Sequence, residues 1–273
     1  MAPRIIVTGY GPFRDITDNP SDLIAQQVAA RLRNTNLFST DADAVSNFTV
    51  SVSHEGLAEF YAAADDTLDS PTLSHIVHIG VHAASTKVNF ELVGYNVTSE
   101  SGLAQAMAKK RAAAAAATNE AVNDDKEAED LSSGKIDQSP LAQDLLPSTF
   151  PVHLDEFDDW MSTQSKAAWS RDAGWYYCNE IYYSTLLRVR KLRKANKERP
   201  LVKVIFVHVP LPEAVDIDTC AQLVVQFLEV DRKASEKEIG WVKTTTNTTV
   251  AHVEVNGEKK VVREEKKTVY EKQ

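Results

Sequence analysis

Short apolar runs alternate along the chain with longer stretches in which apolar residues recur at helical spacing. Uninterrupted β-branched runs predict buried strands, and they occupy residues 4–8, 76–80 and 202–209. Alternating apolar and polar residues predict a further strand at 48–52. Helical periodicity covers residues 23–32, 57–68, 219–230 and a stretch from about Cys178 to Arg193. This order predicts an α/β fold in which a mostly parallel sheet has helices on both faces.

Two regions depart from this pattern. Residues 105–150 combine an alanine-rich run at 112–117, an acidic run at 120–130 and scattered serine, glycine and proline, which together predict a low-complexity surface insertion. Residues 231–273 are rich in charge, and VEVNGEKKVV within them carries a hairpin signal. We therefore expect one α/β domain over residues 1–230, interrupted by the 105–150 insertion and followed by a charged C-terminal extension.

The composition is that of an ordinary globular protein, since 43% of the 273 residues are hydrophobic and 25% are charged. A formal net charge of −9 argues against a sequence-independent nucleic-acid binder, which would need a basic face. Two cysteines are too few for a disulfide framework. No apolar run approaches the ~18 residues that span a membrane, and no signal-peptide pattern is present. We expect a cytoplasmic protein without nucleic-acid or membrane partners.

The segment SRDAGWYYCNEIYY, residues 170–183, is the strongest candidate for chemistry. It places Cys178 between a loop-forming Asp-Ala-Gly and a helical run, so the thiol falls in or just before the first helical turn. Unpaired backbone amides and the helix dipole at that position favour a thiolate. The segment thus indicates a reactive nucleophile, with a small buried side chain as the alternative interpretation.

A glycine-containing loop follows the first predicted strand. Gly9 and Gly11 invite a dinucleotide-binding interpretation, but Arg14 stands where the third glycine should be and Pro12 interrupts the turn. A dinucleotide-dependent oxidoreductase is therefore only a distant alternative. Tyr10 and Phe13 lie at the end of the strand where open α/β sheets bind ligands, so they either grip a small flat group or cap the core.

Two further side chains lie at ends of predicted elements. His208 closes the most strand-like run of the chain, because Pro210 and Pro212 prevent the strand from continuing, and it is either a site residue or a packing histidine. Glu91 lies among apolar residues in the alternating segment at 87–96, where it either needs a partner or faces solvent from an edge strand. Glu91, Cys178 and His208 are the parts of a cysteine hydrolase.

Three histidines look at first like a metal cluster. His78 and His82 would lie ~13 Å apart on a continuous strand, and His75 would face the side opposite to His78. We therefore expect no shared metal there unless the strand ends before His82.

Four stretches resemble the pyroglutamyl peptidase I family, also called pyrrolidone carboxyl peptidases. They are VTGYGPF at 7–13, HIGVHAASTKVNFELVGYN at 78–96, SRDAGWYYCNEIYY at 170–183 and FVHVP at 206–210. The resemblance covers most of residues 4–104 and 165–230, with the motifs in the family's order. It implies a three-layer α/β/α sandwich with an open sheet, and a peptidase that removes an N-terminal pyroglutamyl residue from peptides without a metal or organic cofactor.

By position, the resemblance makes Cys178 the nucleophile, His208 the general base and then acid, and Glu91 the group that orients His208. Tyr10 and Phe13 would line the pocket for the lactam ring. Bacterial members carry an arginine beyond the glutamate that helps at the oxyanion, whereas VTSESGLAQAMA at 97–108 has none. An inactive homologue that binds or regulates is therefore the main alternative, and the oligomeric state stays open.

Overall fold

The computed structural model of the chain describes residues 3–13, 16–35, 37–38, 44–98, 135–137, 139, 142–239, 241–255 and 258–272. The strands in these residues are β1 (Arg4–Tyr10), β2 (Val45–Val50), β3 (Leu73–Val81), β4 (Val88–Glu91), β5 (Val93–Tyr95), β6 (Leu145–Pro147), β7 (Ala167–Ser170), β8 (Lys203–Val209), β9 (Trp241–Val255) and β10 (Glu258–Lys272). The helices are α1 (Pro20–Arg33), α2 (His54–Asp69), α3 (Asp155–Ser162), α4 (Tyr177–Ala195) and α5 (Ile217–Ile239).

Six of these strands form one central sheet in the order β2-β1-β3-β8-β4-β7. Its strands run parallel, except that β4 and β8 pair antiparallel. Helices flank the sheet, so the predicted α/β fold with a mostly parallel sheet is confirmed. The antiparallel pair lies inside the sheet, which places β4 between β8 and β7 and leaves it no open edge.

The two faces of the sheet follow from side-chain alternation along its strands. Ile6, Ile76 and Phe206 belong to a buried cluster that also contains residues of α2 and α4. Their chain neighbours Ile5 and Val77 are equally buried and point to the opposite face. Helix α1 packs against β1 and β3, while an aromatic stack joins Phe90 of β4 to Phe227 of α5. The core is therefore divided between two layers, as expected for runs that are apolar on both faces.

Most predicted strands and helices lie within about three residues of their expected bounds, but α5 continues nine residues beyond the predicted end at 230, into the expected C-terminal extension. One predicted strand is also interrupted. The alternating segment at 87–96 forms two strands, β4 and β5, which separate at Leu92. The N–H of Leu92 donates to the carbonyl of Ser170 at 2.7 Å, and its own carbonyl accepts from the N–H of Ser148 at 2.8 Å. The break thus redirects the chain from the central sheet into a second, two-stranded sheet with β6.

The C-terminal part of the expected 105–150 insertion belongs to the fold, so that part of the expectation is wrong. Strand β6 pairs antiparallel with β5, and both Leu146 and Phe150 are buried. The hydroxyl of Thr149 donates to the carbonyl of Val202, just before β8, and accepts from the N–H of Val204 within that strand. The prolines and serines of this segment therefore belong to packed structure and not to a surface insertion. Residues 105–134 lie outside the described residues.

The chain divides into two compact units, Met1–Leu228 and Glu229–Gln273. In the second unit β9 and β10 pair antiparallel from Trp241↔Lys272 to Val255↔Glu258, in agreement with the hairpin signal at 253–262. Throughout the described part of the chain, every helix is too short or too polar to cross a membrane.

Two adjacent leucines test whether β6 is part of the core. Leu146 is fully buried whereas Leu145 is 44% exposed. We expect Leu146→Ala to lower the free energy of unfolding by about 2–5 kcal/mol because it leaves a cavity. The matched control Leu145→Ala should change it by less than about 0.5 kcal/mol. Urea denaturation followed by circular dichroism measures both, and equal small effects would show that β6 lies on the surface.

Candidate active site

Cys178 is the second residue of helix α4. The first backbone N–H groups of a helix have no partners within the helix, and Tyr176 at the N-cap makes no side-chain capping bond. The loop before the helix turns at Gly174, whose φ of 73° lies in the left-handed region. Cys178 therefore lies in the first turn as predicted, and its thiol is partly accessible.

Gly80 on β3 lets the thiol approach the sheet. A Cβ at this position would lie 2.9 Å from Sγ of Cys178 and 2.7 Å from the ring of Phe206. Both separations are shorter than real contacts, so only glycine fits between the thiol and the sheet. A glycine inside an apolar strand often marks such a close approach, so the glycine of HIGVH is a sequence signal for this contact.

Asn179 fixes the start of α4 against β5. Its side-chain amide accepts from the N–H of Tyr95 at 2.7 Å and donates to the carbonyl of the same residue at 2.9 Å. Asn179 is fully buried, so these bonds form without competition from water. Asn179 follows Cys178 directly, but no sequence pattern distinguishes it from an ordinary polar helix residue.

His208 and Glu91 form a buried pair on neighbouring strands. Nδ1 of His208 lies 2.8 Å from Oε1 of Glu91, and Glu91 is only 1% exposed. The other carboxylate oxygen accepts from the N–H of Asp172 at 3.1 Å. The alternative in which Glu91 faces solvent from an edge strand is wrong, because β4 has neighbours on both sides.

The pKa of His208 reflects its neighbours on both sides. Burial alone would lower this pKa, but hydrogen bonds to Cys178 and Glu91 and the charges of those two groups raise it from 6.5 to about 9. The imidazole is therefore protonated at neutral pH. His208 is bonded to Glu91 and lines one cavity with Cys178, so the structure brings together all three residues that the sequence singled out.

Cys220, the other cysteine, lies apart from this site in helix α5. It is fully buried, and its thiol donates to the carbonyl of Val215 at 3.7 Å. Burial, followed by the charge of Asp216, raises the pKa of this thiol to about 12. Cys220 therefore stays protonated and serves as an internal control for Cys178.

An apolar cavity of about 210 Å³ opens beside Cys178 at the end of β1. Tyr10 and Phe13 both line it. The remaining lining residues are Ile16, Asn19, Val52, Val81, Ala83, Tyr176, Tyr177 and Cys178. Tyr10 is also 4% exposed and donates its hydroxyl to the carbonyl of Tyr177 at 2.8 Å, so it both caps the core and walls the cavity.

A second cavity, of about 160 Å³, lies on the His208 side of the same thiol. Asp172, Gly174 and Trp175 of the loop before α4 line it, together with His82, Cys178 and His208. Both cavities are below the ~300–1,000 Å³ typical of sites for drug-sized ligands. Each has room for about one side chain or small ring, and Cys178 lines both.

The three histidines near β3 have separate environments. Strand β3 ends at Val81, so His82 lies just beyond it with its ring 5.6 Å from that of His208. His78 is buried between the hydroxyls of Thr8 and Thr185, and burial lowers its pKa to about 3. Within the described residues, no three His, Cys, Asp or Glu side chains are grouped to hold a metal ion.

The structure is similar to solved structures of one kind of peptidase. Pyrrolidone carboxyl peptidase from Thermococcus litoralis aligns with a TM-score of 0.55 at 17% identity, over 86% of this chain and 96% of that chain. Pyroglutamyl peptidase I from Bacillus amyloliquefaciens gives 0.52 at 18%, over 85% and 97%. Pyrrolidone carboxyl peptidase from Thermus thermophilus gives 0.51 at 20%, over 82% and 98%.

No protein-family model matches the sequence, and no curated protein matches it. The chain thus has the fold of these peptidases at a sequence identity of one fifth or less. The resemblance inferred from the four sequence motifs is confirmed at the level of the fold.

The titration of His208 tests the electrostatics of the site. We expect its imidazole Cε1–H signal to titrate with a midpoint near pH 9, because Cys178 and Glu91 favour the protonated ring. Glu91→Gln removes one of these causes and should lower the midpoint. Two-dimensional ¹H–¹³C NMR measures both, with the signal assigned by its loss in His208→Asn. A wild-type midpoint at or below 6.5 would contradict the coupling.

Proposed function

We propose that this protein is a cysteine peptidase that removes an N-terminal pyroglutamyl residue from peptides in the cytoplasm. The observation that carries the proposal is the buried hydrogen bond between His208 and Glu91, in a cavity that Cys178 lines together with His208 from the start of a helix. A nucleophile, a base that contacts it and a group that orients the base are the required parts of such an enzyme. The similarity to solved pyroglutamyl peptidases supports the choice of substrate.

The apolar cavity beside Cys178 fits the acyl part of the substrate. A pyroglutamyl lactam is a small, nearly flat ring without charge, and the aromatic walls of Tyr10 and Phe13 can hold it by contact. Cys178 lies in the wall of this cavity, so a ring bound there can present its exocyclic carbonyl to Sγ. An extended chain before the scissile bond would not fit in about 210 Å³, which favours an N-terminal residue.

In the first step, the thiolate of Cys178 attacks the pyroglutamyl carbonyl carbon and forms a C–S bond. The protonated His208 then gives its proton to the peptide nitrogen as the C–N bond breaks, so the amine leaves neutral. The remainder of the peptide departs with a new N-terminus, and the pyroglutamyl group stays on Sγ as a thioester. Glu91 keeps the imidazole aligned through Nδ1 during the transfer.

In the second step, His208 accepts a proton from a water molecule whose oxygen attacks the thioester carbonyl. The C–S bond breaks, free pyroglutamate leaves, and the thiolate and protonated imidazole are restored. Backbone N–H groups at the start of α4 would hold the oxyanion in both steps, and each such donor is worth roughly 3 kcal/mol in well-studied enzymes. These amides would act without the arginine that is absent from residues 97–108.

A fluorogenic pyroglutamyl amide tests this function in the presence of a reductant. We expect the wild-type protein to release the fluorophore, and Cys178→Ala to lower kcat/KM by on the order of 10³-fold or more because the nucleophile is gone. The matched control Cys220→Ser removes the buried thiol outside the site and should retain turnover.

Equal release by the wild type and Cys178→Ala would contradict the assignment of the nucleophile. If the wild type releases nothing while Cys178 is readily alkylated by iodoacetamide, the protein is a homologue that binds without turnover. That outcome would favour the alternative raised by the missing arginine.

A further inference from the structure

We propose that the cavity on the His208 side of Cys178 is a leaving-group subsite that selects a basic residue, arginine above all, directly after the pyroglutamyl residue. This inference rests on the proposed function and extends it to the second residue of the substrate. Its basis is the exposed carboxylate of Asp172 beside the indole of Trp175, both in the wall of this cavity.

The chemistry decides which cavity takes the leaving group. His208 must protonate the departing nitrogen, so the residue that follows the scissile bond has to lie on the His208 side of the thiol. Of the two cavities described above that contain Cys178, only the one of about 160 Å³ is also lined by His208. The apolar cavity is then left for the acyl group.

Asp172 is held in place by its own loop. Its Oδ1 accepts from the N–H of Gly174 at 3.1 Å, while its N–H donates to Oε2 of Glu91. Among the described residues, Oδ2 has no hydrogen-bond donor. Because the bond to Oδ1 already orients the carboxylate, Oδ2 is available to a cation. Binding that cation then costs little further side-chain entropy.

Asp172 is the one carboxylate in the wall of this cavity, whose described lining contains two imidazoles and no lysine or arginine. The positive charge of His208 is balanced on its far side by Glu91, at 2.8 Å. His82, which also lines the cavity, is exposed to solvent. The local charge therefore favours a cationic side chain and disfavours an acidic one.

Trp175 adds a preference for arginine over lysine. Its indole lines the same cavity and is supported by Tyr95, with ring centroids 5.6 Å apart. A guanidinium can stack on an indole and at the same time offer parallel N–H groups to a carboxylate, whereas an ammonium interacts as a point charge. The juxtaposition of these two side chains thus matches a planar cation.

Matched dipeptide amides test the preference through kcat/KM. Pyroglutamyl-arginine amide and pyroglutamyl-citrulline amide have side chains of the same length and nearly the same shape, but only arginine is charged. We expect the wild type to prefer arginine to citrulline by about fivefold or more, and pyroglutamyl-glutamate amide to be the poorest substrate. Lysine should fall between arginine and citrulline.

Asp172→Asn is the decisive variant. It keeps an oxygen for the N–H of Gly174 and leaves the backbone donor to Glu91 unchanged, so only the charge is removed. We expect the arginine-to-citrulline ratio to fall to about one. The control Asp66→Asn removes an equal charge from an exposed position of α2 and should keep the wild-type ratio.

The outcomes separate this inference from the proposed function. Hydrolysis of all the dipeptide amides with an arginine-to-citrulline ratio near one in the wild type would overturn the subsite while leaving the peptidase intact. An unchanged ratio in Asp172→Asn would overturn the role of that carboxylate. Absence of hydrolysis of every pyroglutamyl amide would overturn both, since there would be no leaving group to select.

Discussion

The buried contact between Glu91 and His208 is the constraint on which the site depends. Two charged groups inside a sheet are tolerated only when each is paired and hydrogen-bonded, and breaking such a pair costs about 3–5 kcal/mol. Here both oxygens of Glu91 have partners, one on β8 and one on the loop before α4. The hydroxyl of Tyr182 also donates to the carbonyl of Glu91 at 2.7 Å, which ties α4 to the same strand.

This constraint explains the unusual place of β4. Inserted antiparallel beside β8, the strand brings Glu91 next to the C-terminal end of a parallel strand, where His208 lies. Two contacts then fix the position of helix α4 along the sheet. Asn179 in its first turn is bonded to Tyr95 of β5, and Thr185, about two turns further on, is bonded to His78 of β3 at 3.0 Å. A neutral, buried His78 can serve this structural purpose at any physiological pH.

Much of the site was predictable because its residues carry local signals. Cys178 follows a loop and lies at the start of an amphipathic helix, while His208 lies at the end of an apolar run before a proline. Helical periodicity and the loop-forming glycine and proline residues therefore predict both positions. The order of strands and helices likewise required no tertiary information. Gly80, a glycine inside an apolar strand, signals that another group approaches the backbone closely. The sequence does not show that this group is the side chain of Cys178 or Phe206.

The features that were missed depend on contacts distant in sequence. Whether Glu91 faced solvent or a partner could not be decided from alternation alone, because both edges of β4 pair with strands far along the chain, β7 and β8. Strand β6 has three residues and lies among prolines and serines, so only its pairing with β5 reveals it. The position of Asp172 beside both Glu91 and the second cavity also arises only when the loop folds back.

Direct observation of the acyl-enzyme is the measurement we would make first, because it tests the nucleophile, the substrate class and the order of steps together. Wild-type protein is mixed with excess pyroglutamyl amide, quenched in acid within milliseconds to seconds, digested and analysed by mass spectrometry. A pyroglutamyl group attached to the peptide that contains Cys178, and absent after longer incubation once the substrate is consumed, is the expected result. An acyl group on another residue, or fluorophore release without any modification of Cys178, would contradict thioester catalysis at this site.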